Sequence, residues 1–559
     1  MYLRIVKSRQ RGKVYESAQI VESFRDPETK KPKTRIIAHL GQVASLKEKD
    51  VDNLINGLCR AIGRPAPEAA ELEYANDFGH LWAIIHIWKQ LKIGFVLKRR
   101  AKLSGAEFDL AQHVLLMCAN RLCDPRSKLG LLAWLEGVYF PGVGREGVEY
   151  HHLLRAMDWL IGQKEEIEKE LAQHYLDMFN RNSLDLVFYD ITSTYFEGDR
   201  SVAANDIRAH GYSRDHRPDR RQIMIGVVMT PDGTPVAHHV FPGNTADKST
   251  VAGVVRDLKE RFGIQRVVIV GDRGMLSDHN LATLLTEEFG FIVAHPLRRN
   301  NEVVDIIKES HESLDHSEGA GEQFAEDERE GLKFVLAYDP AMAAQTRKRR
   351  QEAIGRADVF IQEVKQRLKK SAEGRQKGRP LTPEGALFQV RDYLKKLKIS
   401  RCYDLSLSGS GISVIANRTA RAWENLIDGK LVVETTELDL SPKEVIARYK
   451  DLQVIERGFR CMKSSLELRP VHHWTERRIR AHVFICVLAL LMERHMHRSL
   501  AALEISASTA LEKLRQIKAG RLQTQGIPTP ILTSLSQEHR NIYTQLGISF
   551  PKIKDLQAL

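Results

Sequence analysis

The chain has 559 residues, a formal net charge of +12 and a hydrophobic fraction of 43%. That length calls for several domains or one large elaborated core, and the positive excess favours a nucleic acid or another polyanion over an acidic protein surface as partner. Six scattered cysteines (Cys59, Cys118, Cys123, Cys402, Cys461 and Cys486) form no CxxC pair and no Cys/His cluster of zinc spacing; they read as reduced thiols of a cytosolic protein.

The first residues, MYLRIVKSRQRGK, lack the apolar core of a signal peptide. The longest apolar run, VFICVLALLM at 483–492, is too short to span a bilayer, which takes about 20 helical residues. It reads as the central helix of a core. A soluble cytoplasmic protein with no membrane partner is expected.

In chain order, 1–45 alternates and carries turn signals, predicting a small N-terminal β unit. Residues 46–180 turn helical, with apolar positions recurring at three and four, and form the expected DNA-binding region. The texture then changes. LDLVFYDITSTYFEG is a buried strand followed by a turn. RQIMIGVVMT and TPVAHHVFPG form a hairpin around PDG. A helix capped by Ser249 or Thr250 and closed by Gly263 follows, then the strand IQRVVIVGDRGM, a second helix, and the strand FIVAHP. Three strands, helix, strand, helix, strand describe a mixed sheet, not a doubly wound parallel one.

Residues 301–430 break that pattern and are expected to be an insertion. Its first stretch is strongly acidic and reads as partly loop; the next is strongly basic and helical. Residues 181–300 and 431–500 are then two parts of one core, and 501–559 a C-terminal helical region. The helix after Ser441–Pro442, a cap followed by proline in the first turn, opens the second part.

Three acids stand out. Asp190 ends the apolar strand LVFYD and Asp272 ends VVIVGD, where crossover loops form clefts. Central neighbouring strands lie about 5 Å apart, so two such acids can share a metal ion. In YKDLQVIERGFRCMK, Glu456 borders the apolar stripe Leu452, Ile455, Phe459, Met462 and Leu466. Tyr449 and Lys463, seven residues to either side, fall on the same ridge of a continuous helix, with Lys463 projecting outward. A carboxylate set without thiols or clustered histidines favours Mg²⁺ or Mn²⁺, and two such ions suit phosphodiester chemistry. A lone acid at a strand end is commonly a solvated cap; the combination is more specific.

At these residues the sequence resembles the DDE transposases of the IS4 superfamily, most closely the IS1634 group. The resemblance implies an α/β, RNase H-like mixed five-stranded sheet with flanking helices, interrupted by the insertion and preceded by the β-then-helical region. Asp190 in YDITSTYF, Asp272 in GDRGM and Glu456 match the acidic triad. Tyr449, Glu456 and Lys463 fit the family's helix signature, whose arginine position is Leu452 here; Arg457 or Arg460 would substitute. The likeness extends to the N-terminal MYLRIVKS and to SSLELRPVHHWTERRIRAHVFICVLALLM. It implies cleavage at element ends and joining of 3′-hydroxyls to target DNA, with two Mg²⁺ or Mn²⁺ ions. The terminal inverted repeats are the DNA partner and a homodimer is the synaptic form. Relatives resolve the first cut through a DNA hairpin held by a largely β-stranded insertion, whereas this insertion is largely helical.

The segment IRAHGYSRDHRPDRRQ carries Arg208, Arg214, Arg217, Arg220 and Arg221 with Tyr212. It follows the first acid and is a candidate phosphate contact. Arg273, beside the second acid, meets either a phosphate or a carboxylate. His238 and His239, adjacent on a strand, point to opposite faces and share no metal. The other enzymatic reading is an RNase H-like nuclease without strand transfer. A different class is a DNA-binding relative that has lost catalysis, against which the three intact acids argue.

Overall fold

A computed structural model describes the chain except residues 11–12, 28–29, 64–70, 144–146, 179–185, 199–202, 204, 247–248, 263–267, 273–277, 299, 318, 376–379, 410, 525–526 and 558–559. The expected helix stop Gly263 and Arg273 lie outside the described residues. Two compact units emerge: Met1–Ala75 with Ala519–Leu532, and Asn76–Lys518 with Thr533–Leu559.

In the first unit, β1 (Tyr2–Gln10), β2 (Lys13–Arg25) and β3 (Pro32–Gln42) form an antiparallel meander. Helix α1 (Glu48–Ala61) and strand β4 (Glu71–Asp77) follow. A hairpin from the far end of the chain, numbered β15 (Lys518–Thr524) and β16 (Ile527–Leu532) for its place in the sequence, joins β4 in a sheet of order β16-β15-β4. The compact unit that holds the expected N-terminal strands reaches Ala75 and includes α1, and the C-terminal region expected to be helical supplies two strands. Gly520 shows why local pattern missed the pairing: a Cβ there would lie 2.2 Å from the carbonyl oxygen of Tyr74. Only glycine permits that approach, and its partner is remote in sequence.

The second unit opens with helices α2 (Gly79–Gln90), α3 (Ile93–Ala101), α4 (Leu110–Cys123), α5 (Lys128–Glu136), α6 (Tyr150–Gly162) and α7 (Lys164–Met178). Next come β5 (Leu186–Tyr195), β6 (Gln222–Met229), β7 (Pro235–Pro242), α8 (Val251–Phe262), β8 (Val268–Asp272), α9 (Asp278–Thr286) and β9 (Gly290–Ala294). Then follow α10 (Asn301–His311), β10 (Gln323–Arg329), β11 (Leu332–Tyr338), α11 (Pro340–Ala372), α12 (Pro383–Lys396), β12 (Tyr403–Ser408), β13 (Gly411–Ala416), α13 (Arg418–Ile427) and β14 (Lys430–Thr435). Helices α14 (Pro442–Lys450), α15 (Gln453–Ser464), α16 (Glu476–Ser499), α17 (Ala507–Arg515), α18 (Gln537–Gln545) and α19 (Ile553–Gln557) complete it.

The main sheet has eight strands in the order β10-β11-β14-β9-β8-β5-β6-β7. The meander β5-β6-β7 is antiparallel, and β5, β8 and β9 run parallel through their helix crossovers. The expected five strands are therefore extended by three, β14, β11 and β10, all antiparallel. The acidic stretch read as partly loop holds α10 and β10 with a loop between them. Strand β10 is an edge strand whose charge, Glu326 and Glu328 among it, guards an open rim. The rest of the insertion packs on itself: Ala357, Ile361 and Val364 of α11 meet Val390 and Leu394 of α12 and Tyr403 of β12.

Register assigns the faces. Val187, Tyr189 and Ile191 pack with Val251, Val254 and Leu258 of α8 and Leu284 of α9. Phe334, Leu336 and Val432 continue that face under Ile306 of α10 and Ile427 of α13. Phe188, Asp190, Val227 and Met229 take the opposite face, over which α14 and α15 lie. Behind them runs α16, nearly all of it buried, against α15, β7 and the helices α2, α4 and α6. The apolar run expected to form a core helix does so, and among the described residues no helix is long and apolar enough to cross a membrane.

A buried charge network fastens the helical layer to the sheet edge. Glu168 of α7 accepts from the backbone N–H of His238 on β7 (3.0 Å) and from its Nδ1. It also pairs with Lys164 (2.8 Å) and with Arg261 of α8. His239 turns the other way to Asp257 of α8 (3.2 Å), so the two histidines take opposite faces as expected. Burial, helped by Lys164, lowers the His238 imidazole to about 4 despite the pull of Glu168. Burial likewise lowers His80 and His473 to about 3. Such groups bind protons more readily in the unfolded chain, so stability falls as pH drops from about 6.5 towards 4. Urea unfolding at pH 5.0 is expected to give a lower stability than at pH 7.5, by up to about 2 kcal/mol for each such histidine. Glu168→Ala should cost about 3–5 kcal/mol at neutral pH by leaving uncompensated buried cations.

Candidate active site

The site begins with one register. Leu186 pairs with Val268, Val187 with Ile269 and Phe188 with Val270 in the parallel ladder of β5 and β8. The ladder ends there; Asp190 and Asp272 each stand two residues beyond its last pair, at equivalent positions of the two strands. Asp190 is half-buried and pairs with Val227 on β6; Asp272 pairs with Ala294 on β9, and Ala294 with Val433 on β14. Two acid positions thus stand side by side in a row of otherwise apolar residues, about 5 Å apart by strand spacing. The side chain of Asp272 lies outside the described part. Among the described residues no three His, Cys, Asp or Glu side chains converge as a metal set.

Helix α15 brings the third acid. Gly458 seats it on the sheet: a Cβ there would lie 2.6 Å from Cε of Met229 on β6 and 3.8 Å from Leu490 of α16. Val454 lies at the β6–β7 turn, against Gly233. At the other end Lys463 reaches Asp215, in the loop beyond the end of β5. The helix therefore runs alongside β5, with Glu456 near the level of residues 188–190. Gly458 is turned to β6 and α16, and Glu456 lies on the opposite flank of the helix. There Tyr449, Leu452, Gln453, exposed Glu456, Arg457 and Arg460 line an open cleft of about 500 Å³ that Leu431 of β14 closes on its far side.

The single helix expected from Tyr449 to Lys463 is broken. Ser441 caps α14 with the expected Pro442 and a full capping box to Glu444, but α14 ends at Lys450. Across the junction the bonds shorten by one residue: Leu452 N–H to Tyr449 O (3.0 Å), Val454 to Asp451 (2.8 Å) and Ile455 to Leu452 (3.0 Å). A 3₁₀-like turn changes the phase of the following helix. Glu456 and Lys463 keep their common ridge on α15, while Tyr449 belongs to α14 and shares the cleft lining with Glu456 alone of the two.

Lys463 also departs from expectation. It is mostly buried rather than projecting outward, and ion-pairs with Asp215 (3.0 Å), which in turn holds Arg469 (3.0 Å). Burial lowers its ammonium despite that partner. In the arginine-rich loop, much charge is met locally. Arg208 pairs with Asp206 (2.6 Å), Arg217 with Asp219 (2.9 Å) and Arg220 with Asp219 (3.4 Å). Arg214 and Arg221 are half-buried, and Tyr212 stands out at 84% exposed. Sequence reading passed over Asp215 and Arg469. The only signal was an acid amid arginines in SRDHRPDRR, which does not say which cation it meets.

Two family models match the chain: "IS1634 family transposase, N-terminal domain" over residues 3–70 and "Transposase DDE domain" over residues 185–492. Among solved structures the chain is similar to a piggyBac transposase synaptic complex with hairpin DNA. That likeness has 9% identity, 78% of this chain and 79% of that one covered, and a TM-score of 0.35. It is similar also to a Mos1 transposase paired-end complex with left transposon end, at 13% identity, 34% and 60% covered and a TM-score of 0.14. Neither is close enough to bear on this chain's site. No curated protein matches.

The seat of α15 is testable by itself. Gly458→Val should destabilise the protein by about 1–3 kcal/mol in chemical denaturation, by overpacking Met229.

Proposed function

This chain belongs to the DDE transposases, close to the IS1634 group, and from that premise we propose that it cuts phosphodiester bonds at the ends of a mobile element and joins the freed 3′-hydroxyls to target DNA. The observation that carries this reading is the shared register of Asp190 and Asp272 on the face that α15 covers with Glu456. The strands β7-β6-β5-β8-β9 are read as the RNase H-like part of the sheet. All-carboxylate donors suit hard cations, so Asp190, Asp272 and Glu456 are assigned two Mg²⁺ or Mn²⁺ ions. Such ions, when bound, supply charge stabilisation for attacking and leaving oxygens.

The chain's own residues do the rest. The ladder holds the backbones of the two strand-borne acids, and contact at Gly458 seats the helix that carries Glu456. Arg457, Arg460 and Tyr449 border the cleft on the helix side, and Lys463 lies further along α15. Arg214, Arg220 and Arg221 approach from the loop after β5. These are assigned to DNA backbone contact, which fixes register without reading sequence. The partners are then the terminal inverted repeats and target DNA in the bacterial cytoplasm, with a homodimer pairing two ends.

A strand-transfer assay with Mg²⁺ and a pre-cut 3′-end is expected to give joined product; nicked product alone would favour a nuclease without transfer. Glu456→Gln should abolish cleavage while leaving DNA binding within about threefold, since the side chain is exposed and carries no packing; lost binding would make the residue structural. Leu452→Arg restores the family's signature arginine in the cleft. It is expected to tighten DNA binding and to steepen its salt dependence by about one unit of log–log slope.

A further inference from the structure

Two of the three elements that carry the proposed acids, β5 and α15, are joined through one carboxylate. Asp215 sits in the loop after β5, with its side chain only 12% exposed. One of its oxygens takes Lys463 of α15 (3.0 Å), and the other takes Arg469, just past that helix (3.0 Å). Arg469 lies over the ring of Tyr195, the last residue of β5 (4.7 Å). The loop itself is pinned to the same strand: the backbone N–H of Arg214 donates to Oγ of buried Ser193 (3.2 Å), three residues after Asp190. A closed circuit results, from Tyr195 through Arg469 and Asp215 to Lys463, and back through Arg214 to Ser193.

We propose that Asp215 is a positioning residue that sets the separation of Asp190 and Glu456 by clamping α15 to the end of β5. The inference rests on the reading of those acids as metal ligands. The alternative use of the same carboxylate, as a decoy that occupies Lys463 until a DNA phosphate displaces it, fits less well. A decoy needs only one cation, whereas Asp215 spans two, and its neighbour's backbone is tied to the strand. Neither Asp215 nor its partners touch the reacting atoms in this account. Its effect passes through the spacing of the carboxylates, as groups behind metal ligands act elsewhere, where their loss typically costs about 10–100-fold in metal affinity.

The test is Mn²⁺ titration of the DNA-free protein by calorimetry, beside cleavage as a function of Mn²⁺. Asp215→Asn is expected to raise the half-saturating Mn²⁺ about tenfold in both, with the plateau cleavage rate recovered at excess metal. DNA-end binding in Ca²⁺ should stay within about threefold, and Asp215→Glu should restore part of the affinity. Ser193→Ala, which opens the other end of the circuit, should shift the metal curve in the same direction and serves if Asp215→Asn does not fold. An unchanged Mn²⁺ curve in folded variants overturns the clamp. Tighter DNA binding by Asp215→Asn with an unchanged metal curve makes the residue a decoy and also overturns it. If the wild-type chain binds no Mn²⁺ and cuts nothing, the reading of the acids fails first, and the clamp with it.

Discussion

The parallel pairing of β5 with β8 is the constraint on which everything else depends. It is a backbone fact, set by three register pairs deep in an apolar sheet, and it decides which side chains become neighbours. Slipping the register by one residue would send one acid to the opposite face, under α8 and α9. The slip is resisted by the packed face. Val187, Tyr189 and Ile191 interlock with the helices on one face, and the hydroxyl of Tyr189 is fixed to Oγ1 of Thr250 (2.9 Å). Packing of an ordinary core thereby fixes the backbone register on which the reading of the two strand-end acids rests.

Helix α15 supplies the third charge without belonging to the sheet. Its position is set by contact, not by hydrogen bonding. Gly458 lets it approach Met229, α16 supports it from behind, and the turn at 451–452 rephases it relative to α14. An element held this way is free to adjust when its partners change, and the salt-bridged loop at Asp215 is the tie that limits the adjustment. The eight-stranded sheet widens the platform: β14, added from the far end of the insertion, places Leu431 across the cleft from Glu456.

Much of this was legible in the sequence because it is local. The buried strand ending at Asp190, the hairpin around PDG, the Ser441–Pro442 cap and the core helix now numbered α16 all carry their signals within a few residues. What was not legible depends on distant partners. The charges of QFAEDER gave no strand signal, because an edge strand is half-solvated and needs no apolar alternation. The break before α15 has no proline or glycine to announce it. Lys463 read as an outward cation until the fold brought Asp215 to it. The hairpin β15–β16 closes on β4 through a glycine whose reason lies at Tyr74.

The most direct test of the central claim is a crystal of the protein soaked in Mn²⁺, with data collected at the manganese absorption edge. The account predicts anomalous peaks within about 2–2.5 Å of carboxylate oxygens of Asp190, Asp272 and Glu456 together. Manganese bound without Glu456, or those carboxylates standing well over about 10 Å apart and beyond any bridging reach, would contradict it.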